Sequence, residues 1–211
     1  MLPSATVTVT AAPGRTALPE EAPAIGLLTV VDKQRGLPGD YVPLDLAPLG
    51  AAYLAPGFGG SLRAEAKAAL ERMLSGAYAE GHDIYARSAY RSYAEQERTF
   101  AYWVSELGET EARRVSAEAG HSEHQLGTAA DLTTLAVGYD LSEAFGHTPA
   151  GRWLADNAHL YGFALSYPAG AEPVTGYAYE PWHYRYVAPD HTATWKASGV
   201  TLVEYLRGLD D

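Results

Sequence analysis

The chain contains no cysteine. That absence removes disulfides and thiolate metal sites together, and it leaves the redox compartment unmarked. Any metal must be held by histidine, aspartate or glutamate. Positive charge is scarce as well: 15 Lys and Arg stand against 26 Asp and Glu, a net charge of −11. No basic stripe offsets this balance, so a role built on nucleic acid is excluded. Long apolar runs are missing. AIGLLTVV at 24–31 is about half of a membrane span, and Met1 is not followed by a charged, apolar leader, so the chain reads as soluble with no membrane span. Neither HExxH nor GxSxG occurs, which sets aside the helical zinc-protease motif and makes a serine hydrolase a poor reading.

What is present suits one folded domain: 211 residues, 47% of them hydrophobic, suffice to bury a core. Residues 1–24, rich in Ala, Pro and Thr, are expected to form a flexible N-terminal segment, with the domain at 25–208. Over 25–50, Pro38, Gly39 and Pro43 favour an extended wrap over a long helix. Leu62, Ala66, Ala69, Leu70, Met73, Leu74 and Ala77 recur at three and four, predicting a helix over 61–80 that Gly81 stops. A short strand follows at 82–88. Ser92 and Glu95 then form a capping box for a helix to about Leu107, which brings Arg91 and Gln96 to its N-terminus. A short helix is expected at 109–119. Thr148-Pro149 opens another, ended by Gly162. Strands are expected at 163–167 and 176–187, joined as a hairpin, and the tail 192–209 reads as a helix or helix pair broken at Gly199. Helices interspersed with short sequential strands predict an α+β fold whose small antiparallel sheet carries the site, flanked by helices.

Two stretches carry the chemistry, SEHQLGTAAD at 122–131 and EPWHYRYV at 180–187. The first offers His124 and Asp131 across a turn at Gly127, followed by small residues that extend into a strand. The second offers His183, with Glu180 three residues before it. Two imidazoles and a carboxylate hold zinc with one position open to water, and Glu180 is the candidate base for that water. Pro181 keeps Glu180 out of a helix, while a regular strand would put Glu180 and His183 on opposite faces. A local irregularity near Pro181 is therefore required. Of seven histidines, His82, His147, His159 and His191 are read as filler. His121 could pair with His124 as a ligand at i, i+3, or line the pocket.

SAYRSYAEQ at 88–96, GHSEHQLGTAAD at 120–131 and EPWHYRYV at 180–187, in that order, resemble the motif blocks of the VanY-type D-alanyl-D-alanine carboxypeptidases. These zinc peptidases include the bacterial L,D-carboxypeptidases and belong with the lysostaphin and hedgehog fold group. The likeness extends over roughly 25–208. It implies one Zn2+ on His124, Asp131 and His183, with Glu180 as base and Arg91 facing the scissile carbonyl. Gln96 and Ser122 match residues that touch the peptide end. Ala89, Ala119 and Ser166 depart from the common Gly, Pro and Arg, the last bearing on contacts at the substrate's end. The implied activity is removal of a terminal D-alanine from peptidoglycan stem peptides, D,D slightly favoured over L,D, in the cell envelope or outside the cell. A peptidoglycan endopeptidase, or a zinc-containing wall-binding module without turnover, remains open beside it, and the sequence is silent on oligomeric state.

Overall fold

The computed structural model describes residues 25–210; the expected N-terminal segment at 1–24 lies outside them. The sequence between 46 and 63 forms a two-stranded antiparallel ribbon, β1 (Leu46–Pro48) with β2 (Ser61–Arg63). Helix α1 (Ala64–Ala79) follows without a break. The helix expected from 61 therefore starts three residues later. Leu62 satisfies the helical spacing equally well in a strand, and pairing with Ala47 decides the matter.

Helix α1 buries Ala66, Ala69, Leu70, Met73, Leu74 and Ala77, the stripe that the periodicity picks out. Its counterpart is a four-stranded antiparallel sheet in the order β3 (Tyr85–Ser88), β4 (Ala129–Thr133), β6 (His183–Tyr186), β5 (Phe163–Leu165). The shared core includes Ala86, Ala130, Leu132, Trp153, Phe163, Tyr184 and Tyr186. Each large side chain buried there contributes about 1.5–3 kcal/mol through apolar area removed from water.

Strand β4 is buried along its whole length because both its faces are covered. Ala130 and Leu132 point to the α1 core, which leaves Asp131 on the opposite face. Asp131 and His183 are direct register partners, so their side chains emerge side by side.

The remaining elements frame that second face. Helix α2 (Tyr93–Leu107) opens with Ser92 and Glu95 in a reciprocal capping box, as expected. Helix α3 (Glu109–Val115) ends short of 119, because Ser116 turns extended and its hydroxyl accepts from Gln96. Thr148 caps α4 (Pro149–Asn157), which passes into a 3-10 turn ended by left-handed Gly162. Strands β5 and β6 are antiparallel partners, but the expected long strand at 176–187 is only the four residues of β6. A short helix, α5 (Glu172–Thr175), interrupts the connection. The tail is a helix pair, α6 (Pro189–Ser198) and α7 (Leu202–Asp210), with Gly199 in the left-handed region between them. Among the described residues no helix is long and apolar enough to cross a membrane. The architecture is mixed helix and small antiparallel sheets, as the sequence predicts.

Candidate active site

His124 sits on a single 3-10 turn, Glu123–Leu126, entered through Ser122 and left through Gly127 at φ 70°. A side chain at Gly127 would be strained by that φ and would press on Leu46 and Arg63 at 3.0 and 3.1 Å. The turn is tied down by Arg91 N–H to His124 O, 3.2 Å, and Arg63 N–H to Gly127 O, 2.8 Å. It delivers the imidazole to Asp131, whose Oδ2 lies 3.1 Å from His124 Nε2, while Oδ1 lies 3.0 Å from His183 Nδ1. His124, Asp131 and His183 thus offer one ligand atom each within 4.8 Å of one another, all three buried.

The donor set fits zinc in a further respect. His124 Nδ1 donates to the Ala89 carbonyl at 2.6 Å, and His183 Nε2 donates to the Glu123 carboxylate at 3.0 Å. Acceptors that carry no proton fix each tautomer, leaving His124 Nε2 and His183 Nδ1 free to ligate.

Glu123 was not singled out by the sequence, and it anchors the buried side of the site. Its carboxylate also accepts from Arg185 Nη1 at 2.8 Å and Ser166 Oγ at 2.6 Å. Burial alone would raise its pKa, but Arg185, His183 and Ser166 reverse that and hold it at about 2. Ser166 is therefore engaged beneath the metal group. The clue available in the sequence was Arg185 itself, a cation between two tyrosines of β6 that must find an acid once buried.

Glu180 lies outside β6, in a turn closed by His183 N–H to Glu180 O at 3.0 Å. This is the irregularity near Pro181 that lets Glu180 and His183 reach one side. The turn brings Glu180 Oε2 to 3.7 Å from His183 Nδ1, and burial drives the carboxyl up to about 8. Arg91 reaches the same group from the other side, its Nη2 3.9 Å from Asp131 Oδ2. Gln96 Oε1 accepts from Arg91 Nη1 at 2.8 Å, while its amide donates to Ala117 O at 2.6 Å. Gln96 thus holds the guanidinium. Burial would lift Asp131 and lower the histidines; the two imidazoles nevertheless keep Asp131 far below the usual carboxylate range, and Asp131 and Glu123 raise His183 to about 10.

Arg91, Gln96, His124, Asp131, Glu180 and His183 line a cavity of about 340 Å³ together with Ser122, Tyr167, Tyr177 and Trp182. His121 is not among them. Its Nδ1 lies 2.7 Å from Asp32 O, so it neither joins the metal group nor lines the cavity. His82 and His191 pack against Trp153 and Tyr205.

The chain is 41% identical over 181 residues to the "Putative carboxypeptidase YodJ" of Bacillus subtilis (strain 168). That match covers 85% of this chain and 66% of YodJ, so the chain spans just under two thirds of that relative's length. Among solved structures, the LdcB LD-carboxypeptidase superposes with a TM-score of 0.80 at 40% identity, covering 86% of each chain. The vancomycin-resistance D,D-pentapeptidase VanY from a VanB-type cassette, solved in complex with Zn(II), superposes with a TM-score of 0.70 at 27% identity, covering 85% of this chain and 98% of that one. The family model for D-alanyl-D-alanine carboxypeptidases, VanY, matches residues 59–189, and with the fold and these relatives it places the chain in the VanY carboxypeptidase family.

Proposed function

We propose that the protein is a zinc-dependent carboxypeptidase that releases the terminal D-alanine of peptidoglycan stem peptides in the cell envelope or outside the cell. The observation that carries this reading is the convergence of His124, Asp131 and His183 within 4.8 Å, with a separate, mostly covered acid, Glu180, at 3.7 Å from one of them. One zinc ion on these three residues would supply Lewis acidity and a water of lowered pKa.

The chain's own groups account for the rest. No donor among the described residues engages the Glu180 carboxylate, which leaves it free to accept a proton from the attacking water and return it to the leaving amine. A cation on the three ligands favours the ionised, proton-accepting form of Glu180, against the burial that raises it. Arg91, held by Gln96 and by Ser88 Oγ at 3.0 Å, opposes the negative charge that grows on the carbonyl oxygen. Ser122 and Gln96 stand at the cavity wall where the peptide end would lie. Tyr167, Tyr177 and Trp182 exclude water around the reacting bond.

The L,D reading has a specific observation in its favour: similarity to the LD-carboxypeptidase, at 40% identity, exceeds that to the D,D-pentapeptidase, at 27%. Tetrapeptides are accordingly the preferred substrate in this reading, pentapeptides the competitor. Metal content by mass spectrometry, run beside D-alanine release from defined tetra- and pentapeptides, tests all of this. Zinc-loaded protein that releases no D-alanine from either would overturn it in favour of a wall-binding module, and cuts inside the stem would make it an endopeptidase.

A further inference from the structure

A second cavity, of about 450 Å³, adjoins the first and shares Arg91, Thr99 and Leu141 with it. Beyond Arg91 it is lined by Arg87, Ser88, Glu95 and Arg98. Three guanidinium groups thus meet one carboxylate, in a chain whose net charge is −11. Glu95 is already committed: its Oε2 accepts from Ser92 N and Oγ at 2.9 and 2.7 Å in the cap of α2. It lies within electrostatic reach of Arg98 and Arg91 and offsets part of their charge.

Most other arginines are matched, although Arg152 bonds only the His147 carbonyl and Arg72 makes no ion pair among the described residues. Arg63, Arg113, Arg114, Arg185 and Arg207 each pair with an acid. Among the described residues neither Arg87 nor Arg98 makes an ion pair. Arg87 is nevertheless fixed, its guanidinium lying 3.5 Å over the Phe58 ring, which leaves its edge free for a planar anion. A pre-oriented, unpaired arginine beside a second one, opening directly off the reaction cavity, is a built receptor for a carboxylate.

A carboxypeptidase removes one residue, so the rest of its substrate must leave the reaction cavity through an open side. Stem peptides carry carboxylates along that remainder, on the γ-linked glutamate and on a diaminopimelate third residue where there is one. We infer that the Arg87–Arg98 groove binds a stem-peptide carboxylate upstream of the scissile bond and makes the protein selective for stems that carry it. This rests on the peptidase reading above.

Four peptides ending in the same D-alanine test it: third residue meso-diaminopimelate or lysine, second residue with its α-carboxylate free or amidated. Wild-type protein is expected to favour one carboxylated member of these pairs, and the pair that responds identifies which carboxylate is bound. That preference, as a kcat/KM ratio, should fall about ten-fold in Arg87→Gln and further in Arg87→Gln/Arg98→Gln, as expected for loss of a charge-assisted hydrogen bond. Dissociation constants of the same peptides on zinc-loaded Glu180→Gln protein, with and without the arginine changes, give a readout independent of turnover. D-alanine release without any arginine-dependent preference overturns the groove and leaves the peptidase reading standing. Arginine-dependent carboxylate binding with no release does the reverse. Equal losses on all four peptides would instead assign the arginines to the C-terminal carboxylate and overturn the inference.

Discussion

Two glutamates, Glu123 buried and Glu180 13% exposed, flank the same imidazole, and they have opposite properties. Glu123 accepts hydrogen bonds from His183, Arg185 and Ser166 and is held at about 2. The Glu180 carboxylate lies 3.7 Å from the other nitrogen of His183, accepts no hydrogen bond among the described residues, and is pushed up to about 8. Burial acts on both in the same direction, so the difference comes from the partners. A carboxylate saturated by donors stays charged and fixed and can only position its neighbour. One left unpaired in the same desolvated space can take a proton and give it back. The division of labour proposed for this site follows from that contrast.

The contrast is sharpest in a pair of variants that should fail in different ways. Glu180→Gln should retain zinc, measured by mass spectrometry, while kcat for D-alanine release falls by about 10²- to 10⁴-fold, the range for loss of a general base. A variant that keeps its rate, or that loses metal, would place Glu180 on the positioning side and dissolve the distinction. In the proposed mechanism Arg91 acts with Glu180 on the reacting side. Arg91→Ala should lower kcat by about 100- to 1000-fold, as removal of an oxyanion donor does, again with zinc retained.

Glu123→Gln should show the opposite pattern. Its zinc affinity, read by competition with a chromogenic chelator, should weaken about 10- to 100-fold, as for other partners of ligating histidines. Saturating zinc should then restore most of the rate. Glu123→Ala goes further, because it strands the fully buried Arg185 without its acid, a change that costs about 3–5 kcal/mol of stability. Thermal unfolding separates that loss from the metal effect. If Glu123→Gln loses rate that zinc does not return, Glu123 takes part in more than orientation.

The two glutamates were unequally legible in the sequence, for a physical reason. Glu180 stands three residues from His183, so local spacing exposes it. Glu123 acquires its role from Ser166, His183 and Arg185, which are 43, 60 and 62 residues away, and only the fold brings them together. The same rule covers the secondary structure. The Ser92 and Glu95 cap, the α1 stripe and the Thr148 cap depend on neighbours in the chain and were legible. The β1–β2 ribbon, the early stop of α3 and the short β6 depend on distant partners and were not. His121 was left open between a ligand at i, i+3 from His124 and a residue lining the pocket, and the fold makes it neither. The bend at Gly120, φ 87°, sends the ring to Asp32 O instead.

Asp32 extends the comparison to a third buried carboxylate, away from the metal group and only 4% exposed. Burial would raise its pKa, but Arg207 and the N–H groups of Gln34 and Arg35 outweigh that and lower it below 3.8. By the contrast drawn above it should behave as Glu123 does, charged and structural. A carboxyl lowered in the folded state contributes stability that is present above its unfolded pKa of about 3.9 and is lost as pH falls through the folded value. Arg207 is 34% exposed, so solvent screening limits the contribution to about 1 kcal/mol. Asp32→Asn should therefore lower the urea midpoint slightly at pH 6 and narrow the gap to wild type as pH drops below 4. A gap that widens in acid would mean that Asp32 is neutral in the folded protein, and donor count would no longer suffice to explain why Glu123 and Glu180 differ.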